Sequence, residues 1–128
     1  MKLPPRFLLD EHLRGPLYDA IWSHNSVPDA DPLLADRVGD FADLPLGSDD
    51  PSILRWAERE GYILVTGDRR TMATHLRDHF ARGGHSPGVF LLPSVFSIAE
   101  VIEALILAAY VADPSEWVDR VAYLPSLA

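Results

Sequence analysis

The sequence predicts an α/β domain with a parallel sheet covered by helices on both faces. Three observations lead there. Short apolar runs such as "YILV" (62–65) and "VFLL" (89–92) read as strands buried on both faces. These runs alternate with helical stretches, the pattern of repeated βαβ units. Two of the runs end on an acid, "RFLLD" at Asp10 and "YILVTGD" at Asp68. Right-handed crossovers would bring the carboxyl ends of parallel strands to one edge, where ligands bind in open sheets.

Taken in order, "RFLLD" (6–10) is the first strand, followed by a helix over Pro16 to His24 with Pro16 in its first turn. "SVPDADP" is a loop, and "LLADRVGD" (33–40) a weaker second strand. After the loop "FADLPLGSDDP", Asp50 is expected as N-cap and Pro51 at the first helical position. That helix covers Ser52 to Glu60 and stops at Gly61. The strand at 62 follows, then the helix "TMATHLRDHFARGG" and the strand "PGVFLLP". Ser97 and Glu100 in "SIAE" form a capping box for a helix running through "IAEVIEALILAAYVA" (98–112). "DPSEW" is a turn or short helix, and "DRVAYLP" a last strand.

The chain has 128 residues, one domain's worth, with 48% hydrophobic and 23% charged side chains. It has no cysteine, which excludes disulfides, thiolate chemistry and cysteine-bound zinc. The start, "MKLPPRFLLDEHL", is too short an apolar run for a signal sequence, and the 98–112 segment is too short and too acidic to cross a membrane. No membrane association and a cytoplasmic location are expected. The 98–112 helix would bury itself in the core or pair two chains as a homodimer.

Net charge is −8, which argues against a nucleic-acid partner, but the distribution is uneven. Residues 1–50 carry a net −6 and residues 87–128 a net −4, whereas residues 51–86, with six arginines against four acids, carry +2. The positive section is the one around Asp68.

Asp10, Glu11, Asp50 and Asp68 are the chemical candidates. Carboxylates converging without matching cations raise one another's pKa. A hard divalent ion relieves that, and oxygen-only ligands favour Mg²⁺ or Mn²⁺. The natural reaction of such a site is metal-assisted hydrolysis of a phosphodiester. Structural explanations stand beside these roles. Asp50 is accounted for by capping, Asp49 by a solvated loop, Glu11 by the surface and Asp68 by a turn after Gly67. Arg69 and Arg70 could contact phosphate, neutralise the acids, or be solvated. His12 could bind substrate or cap the following turn. His75 and His79 have the four-residue spacing of zinc-binding pairs but lack the glutamate of zinc proteases, Leu76 standing in its place. A phospho-accepting receiver domain also puts acids at strand ends, but it needs a lysine near the sheet's end and the chain's only lysine is Lys2.

The segments "FLLDEHL", "LGSDDPSIL" and "ILVTGDRRTM", with the later "PGVFLL" and "YLP", resemble the small bacterial PIN-like domain family over nearly the whole chain. The resemblance implies a three-layer PIN-like fold, a mostly parallel central sheet flanked by helices. It also implies a Mg²⁺- or Mn²⁺-dependent ribonuclease, many relatives being toxins paired with a small antitoxin. Asp10, Asp50 and Asp68 match the family's metal-holding acids, with Glu11 following the first. A further acid found in many relatives is replaced here by Arg70. A degenerate module that binds RNA or a protein without cleaving is the alternative.

Overall fold

A computed structural model describes residues 3–127. Lys2, on which the receiver reading turned, lies outside the described residues. Five strands are formed: β1 (Arg6–Leu9), β2 (Leu34–Arg37), β3 (Tyr62–Thr66), β4 (Val89–Leu91) and β5 (Val121–Tyr123). Four α-helices connect them: α1 (Pro16–Asn25), α2 (Asp50–Glu60), α3 (Met72–Ala81) and α4 (Ile98–Tyr110). The sheet is parallel throughout, in the order β2-β1-β3-β4-β5. Among the described residues no helix is long and apolar enough to cross a membrane.

The central strands are apolar because both faces are covered. Phe7, Leu9, Ile63, Val65, Phe90 and Leu92 point to one face, where α1 contributes Leu17 and Ile21 and α4 contributes Val101, Ala104, Leu105 and Ala108. Leu8, Leu64, Val89 and Leu91 point to the other, against Ile53, Leu54, Trp56 and Ala57 of α2 and Met72 and Leu76 of α3. The apolar helix at 98 is therefore a core helix, docked beside α1.

The position of α4 departs from the uniform handedness expected of the crossovers. The connections β3–α3–β4 and β4–α4–β5 advance in the same direction along the sheet, yet their helices lie on opposite faces. Their hands are opposite. With α2 and α3 already covering one face and only α1 on the other, α4 closes the uncovered side.

Local boundaries differ from expectation at three points. Asp49, not Asp50, caps α2: its Oδ1 accepts from the Ser52 amide at 2.9 Å, and Asp50 is the first helical residue. At the far end of α2, Gly61 takes the left-handed conformation (φ 78°) that a helix stop asks of a residue without Cβ. The second strand is only Leu34–Arg37, since the chain turns after Arg37 around an Asp40 held by two arginines. At α4 the Ser97 hydroxyl accepts from the Glu100 amide at 3.3 Å, one half of the expected capping box; the complete box is at Asp113 and Glu116, over the short 3-10 turn Pro114–Trp117.

Candidate functional site

The strand order changes direction between β1 and β3, since the chain leaves β1 toward β2 on one side and later fills β3 on the other. A doubly wound sheet opens a crevice outside the carboxyl ends of the strands at such a point. Here it is a cleft of about 370 Å³ lined by Asp10, Glu11, His12, Leu13, Ser48, Asp50, Gly67 and Asp68. Asp10, Glu11, His12, Asp50 and Asp68 thus line a single cleft.

Register explains how residues 56 positions apart meet. Leu9 pairs with Val65, so the next residues, Asp10 and Thr66, stand side by side as the strands end. The Asp10 amide donates to the Val65 carbonyl at 3.0 Å, and the Thr66 hydroxyl donates to Asp10 Oδ2 at 2.8 Å. The same hydroxyl accepts from the Asp68 amide at 3.1 Å. Thr66 is completely buried and ties the two acid-bearing strand ends together. It was not singled out from sequence, where "LVT" reads as an ordinary β-branched strand end; a hydroxyl one residue before the Gly-Asp turn was the signal available.

Asp10 also opens the 3-10 turn Glu11–Leu13, its Oδ1 accepting from the Glu11 amide at 2.7 Å. Asp68 performs the turn role weighed for it: its two oxygens accept from the Thr71 amide (3.1 Å) and hydroxyl (2.6 Å). It is at the same time next to Asp50. Because Asp49 does the capping, the Asp50 carboxyl is left to face the cleft. Its pKa is pushed up to about 6, first by burial, then by its hydrogen bond to Asp68 and the charges of Asp68 and Asp10. Asp68 moves the opposite way: the Thr71 hydroxyl and amide outweigh burial and hold its carboxyl below the usual range, with Asp50 donating to it. Below about pH 6 the pair therefore holds its proton on Asp50 and its charge on Asp68.

The arginines expected at phosphate are used differently. Arg69 Nε donates to the Leu92 carbonyl at 3.1 Å and its guanidinium lies over the Tyr123 ring at 5.2 Å. It does not line the cleft. Arg70 is exposed, and its backbone amide helps hold the Asp68 carboxylate. His75 and His79 point to different partners: His75 Nε2 lies 3.7 Å from Asp50 Oδ2, whereas His79 Nε2 lies 2.8 Å from Glu58 Oε1 and 2.9 Å from the His85 carbonyl oxygen.

On donor chemistry the cleft fits a hard divalent cation, offering carboxylate oxygens and no sulfur. Asp50 and Asp68 already share a hydrogen bond, and Asp10 is near enough to act on Asp50 electrostatically. The grouping is open, however: among the described residues no three histidine, cysteine or acidic side chains stand together so as to hold a metal ion.

Fold and site define a doubly wound, all-parallel α/β domain with an acidic cleft at its switch point. Compared with known proteins, the chain matches no family model, no curated protein and no solved structure.

Proposed function

We propose that the chain is a PIN-like nuclease that hydrolyses RNA phosphodiester bonds with Mg²⁺ or Mn²⁺, a cytoplasmic toxin-type enzyme whose partner would be a small antitoxin. One observation carries the reading: three carboxylates from three separate elements, Asp10 after β1, Asp50 opening α2 and Asp68 after β3, line one cleft with no arginine or lysine side chain among its lining residues. Asp10 and Asp68 also serve a cap and a turn, but Asp50 caps nothing, because Asp49 does, and its pKa is raised by burial and by Asp68 and Asp10. In this reading Asp10, Asp50 and Asp68 hold the ion and Glu11, on the same wall, assists. The ion, when bound, supplies hydroxide at neutral pH and stabilises charge on the leaving oxygen.

The chain's own groups do the positioning. Thr66 fixes Asp10 through its hydroxyl and Asp68 through its backbone. Thr71 holds the Asp68 carboxylate in its charged form. His12 lines the cleft on the Asp10 side, where it can contact substrate.

The test is cleavage of a labelled single-stranded RNA by the purified chain with Mn²⁺, beside Asp68→Asn. Cleavage that requires the ion and disappears in the variant supports the proposal; cleavage that persists in the variant belongs to a contaminant and sinks it. The open acid grouping favours a second reading, a degenerate module that binds RNA or a protein without cleavage. Calorimetry showing no Mn²⁺ uptake at millimolar concentration would decide for it.

A further inference from the structure

A second groove, about 290 Å³, runs between α2 and α3, lined by Pro51, Arg55, Glu58, His75, Asp78, His79, Arg82, Gly83 and Gly84. It adjoins the acidic cleft. Pro51 lines the groove and the preceding residue, Asp50, lines the cleft; His75 lines the groove while its Nε2 stands 3.7 Å from Asp50 Oδ2.

The groove is also where uncommitted cations collect. Arg14 and Arg37 are paired with Asp40, and Arg59 with Asp43 and Glu60. Arg6 and Arg69 are held by backbone carbonyls and tyrosine rings, and Arg120 donates to the Glu116 carbonyl. The Arg55 side chain hydrogen-bonds the Ser52 hydroxyl at 3.2 Å and meets Asp49 only through its charge, and Arg70, Arg77 and Arg82 make no side-chain hydrogen bond or ion pair among the described residues. All four belong to the net-positive section, and two of them, Arg55 and Arg82, line this groove. Of the two acids in its lining, Glu58 is engaged by His79 and by the His85 amide (2.9 Å), which leaves Asp78 against two guanidiniums. The groove wall is closely packed there, since a Cβ on Gly84 would come within 2.5 Å of the His79 ring.

We infer that this groove seats the backbone phosphates of single-stranded RNA next to the bond presented to the acidic cleft, with Arg55 and Arg82 as the phosphate-binding residues in place of Arg69. Guanidiniums suit this because their planar donors match phosphate oxygens two at a time. Distant acids do not cancel the attraction, because exposed charges are screened over about 8 Å at physiological salt. The inference rests on the nuclease reading for the identity of the ligand, while the binding it describes needs neither metal nor turnover.

The experiment is fluorescence anisotropy of a labelled 12-nucleotide single-stranded RNA with the full chain in EDTA, over a salt series. Wild-type protein binds. Arg55→Ala/Arg82→Ala loses affinity about 10-fold or more, and its plot of log affinity against log salt is shallower by about 0.7 for each phosphate contact removed. Arg55→Lys/Arg82→Lys, which keeps both charges, recovers much of the loss, and Arg77→Ala, on a cation outside the groove, binds as wild type. The inference is overturned if wild-type chain does not bind, if the double alanine variant binds equally well, or if Arg77→Ala loses as much. Absence of Mn²⁺-dependent cleavage with these binding results intact would remove the nuclease reading and leave the groove assignment standing.

Discussion

Asp40, which is exposed, and Asp50, which is half-buried, both lie near the carboxyl edge of the sheet in opposite electrostatic surroundings. Asp40, just past β2, accepts from Arg37 at 2.6 Å and from Arg14 at 3.0 Å. Burial pushes its pKa up, but the two guanidiniums outweigh it and the carboxyl ends below its usual value. Asp50 has burial and no arginine; its neighbours are Asp68, Asp10 and, at 3.7 Å, His75. Its pKa rises to about 6. The first acid is internally neutralised and holds a loop in place. The second has no guanidinium partner and two acidic neighbours, which marks it as a candidate ligand rather than a structural carboxylate.

The largest expected contrast is in activity. Asp50→Asn and Asp68→Asn each abolish Mn²⁺-dependent RNA cleavage, whereas Asp40→Asn cleaves at the wild-type rate; gel assays of the three variants measure this. Equal loss in all three would erase the distinction between the two acids. A smaller effect is expected at Thr66→Val, which keeps the buried shape but removes the hydroxyl shared by Asp10 and Asp68. Cleavage or ion affinity should fall by about 10–100-fold, the usual cost of losing a group that orients a ligand.

Stability should respond with opposite signs. At pH 7.5 without metal, Asp50→Asn removes repulsion from a buried acid and raises stability by about 1–2 kcal/mol. Asp40→Asn strands two arginines that are only about a quarter exposed and lowers stability by about 1 kcal/mol; urea unfolding resolves both. The pH windows differ as well. A carboxyl whose folded pKa lies above its unfolded value keeps its proton longer when folded, so Asp50 makes stability fall as pH rises from about 4 to about 6. Asp40, with a lowered pKa, contributes stability that is lost as pH drops below the ordinary value of 3.8. The fall in stability that Asp50 contributes between pH 4 and 6 should be lost in Asp50→Asn and survive in Asp40→Asn.

What sequence could and could not reveal follows from how local each feature is. Asp10 and Asp68 were legible because each ends a run apolar on both faces, and a parallel sheet leaves such acids only its edge. The choice between Asp49 and Asp50 was not legible: "DDP" offers two successive carboxylates, and proline is tolerated at either of the first two helical positions. The structure puts the cap on Asp49 and thereby frees Asp50. Whether Arg69 contacts phosphate, neutralises the acids or is solvated was not legible, because its observed partners, Leu92 and Tyr123, are 23 and 54 residues away. The face chosen by α4 was hidden for the same reason, since it depends on which side α2 and α3 had left bare.

The central claim is that the acidic cleft is electrostatically incomplete and is completed by a divalent cation. NMR titration of the Asp50 carboxyl carbon, with and without Mg²⁺, tests it most directly. A midpoint of about 6 in the metal-free chain, moving down toward the ordinary carboxylate range as Mg²⁺ is added, is the predicted result. An ordinary midpoint without the ion, or a raised one that saturating Mg²⁺ leaves unmoved, would contradict it.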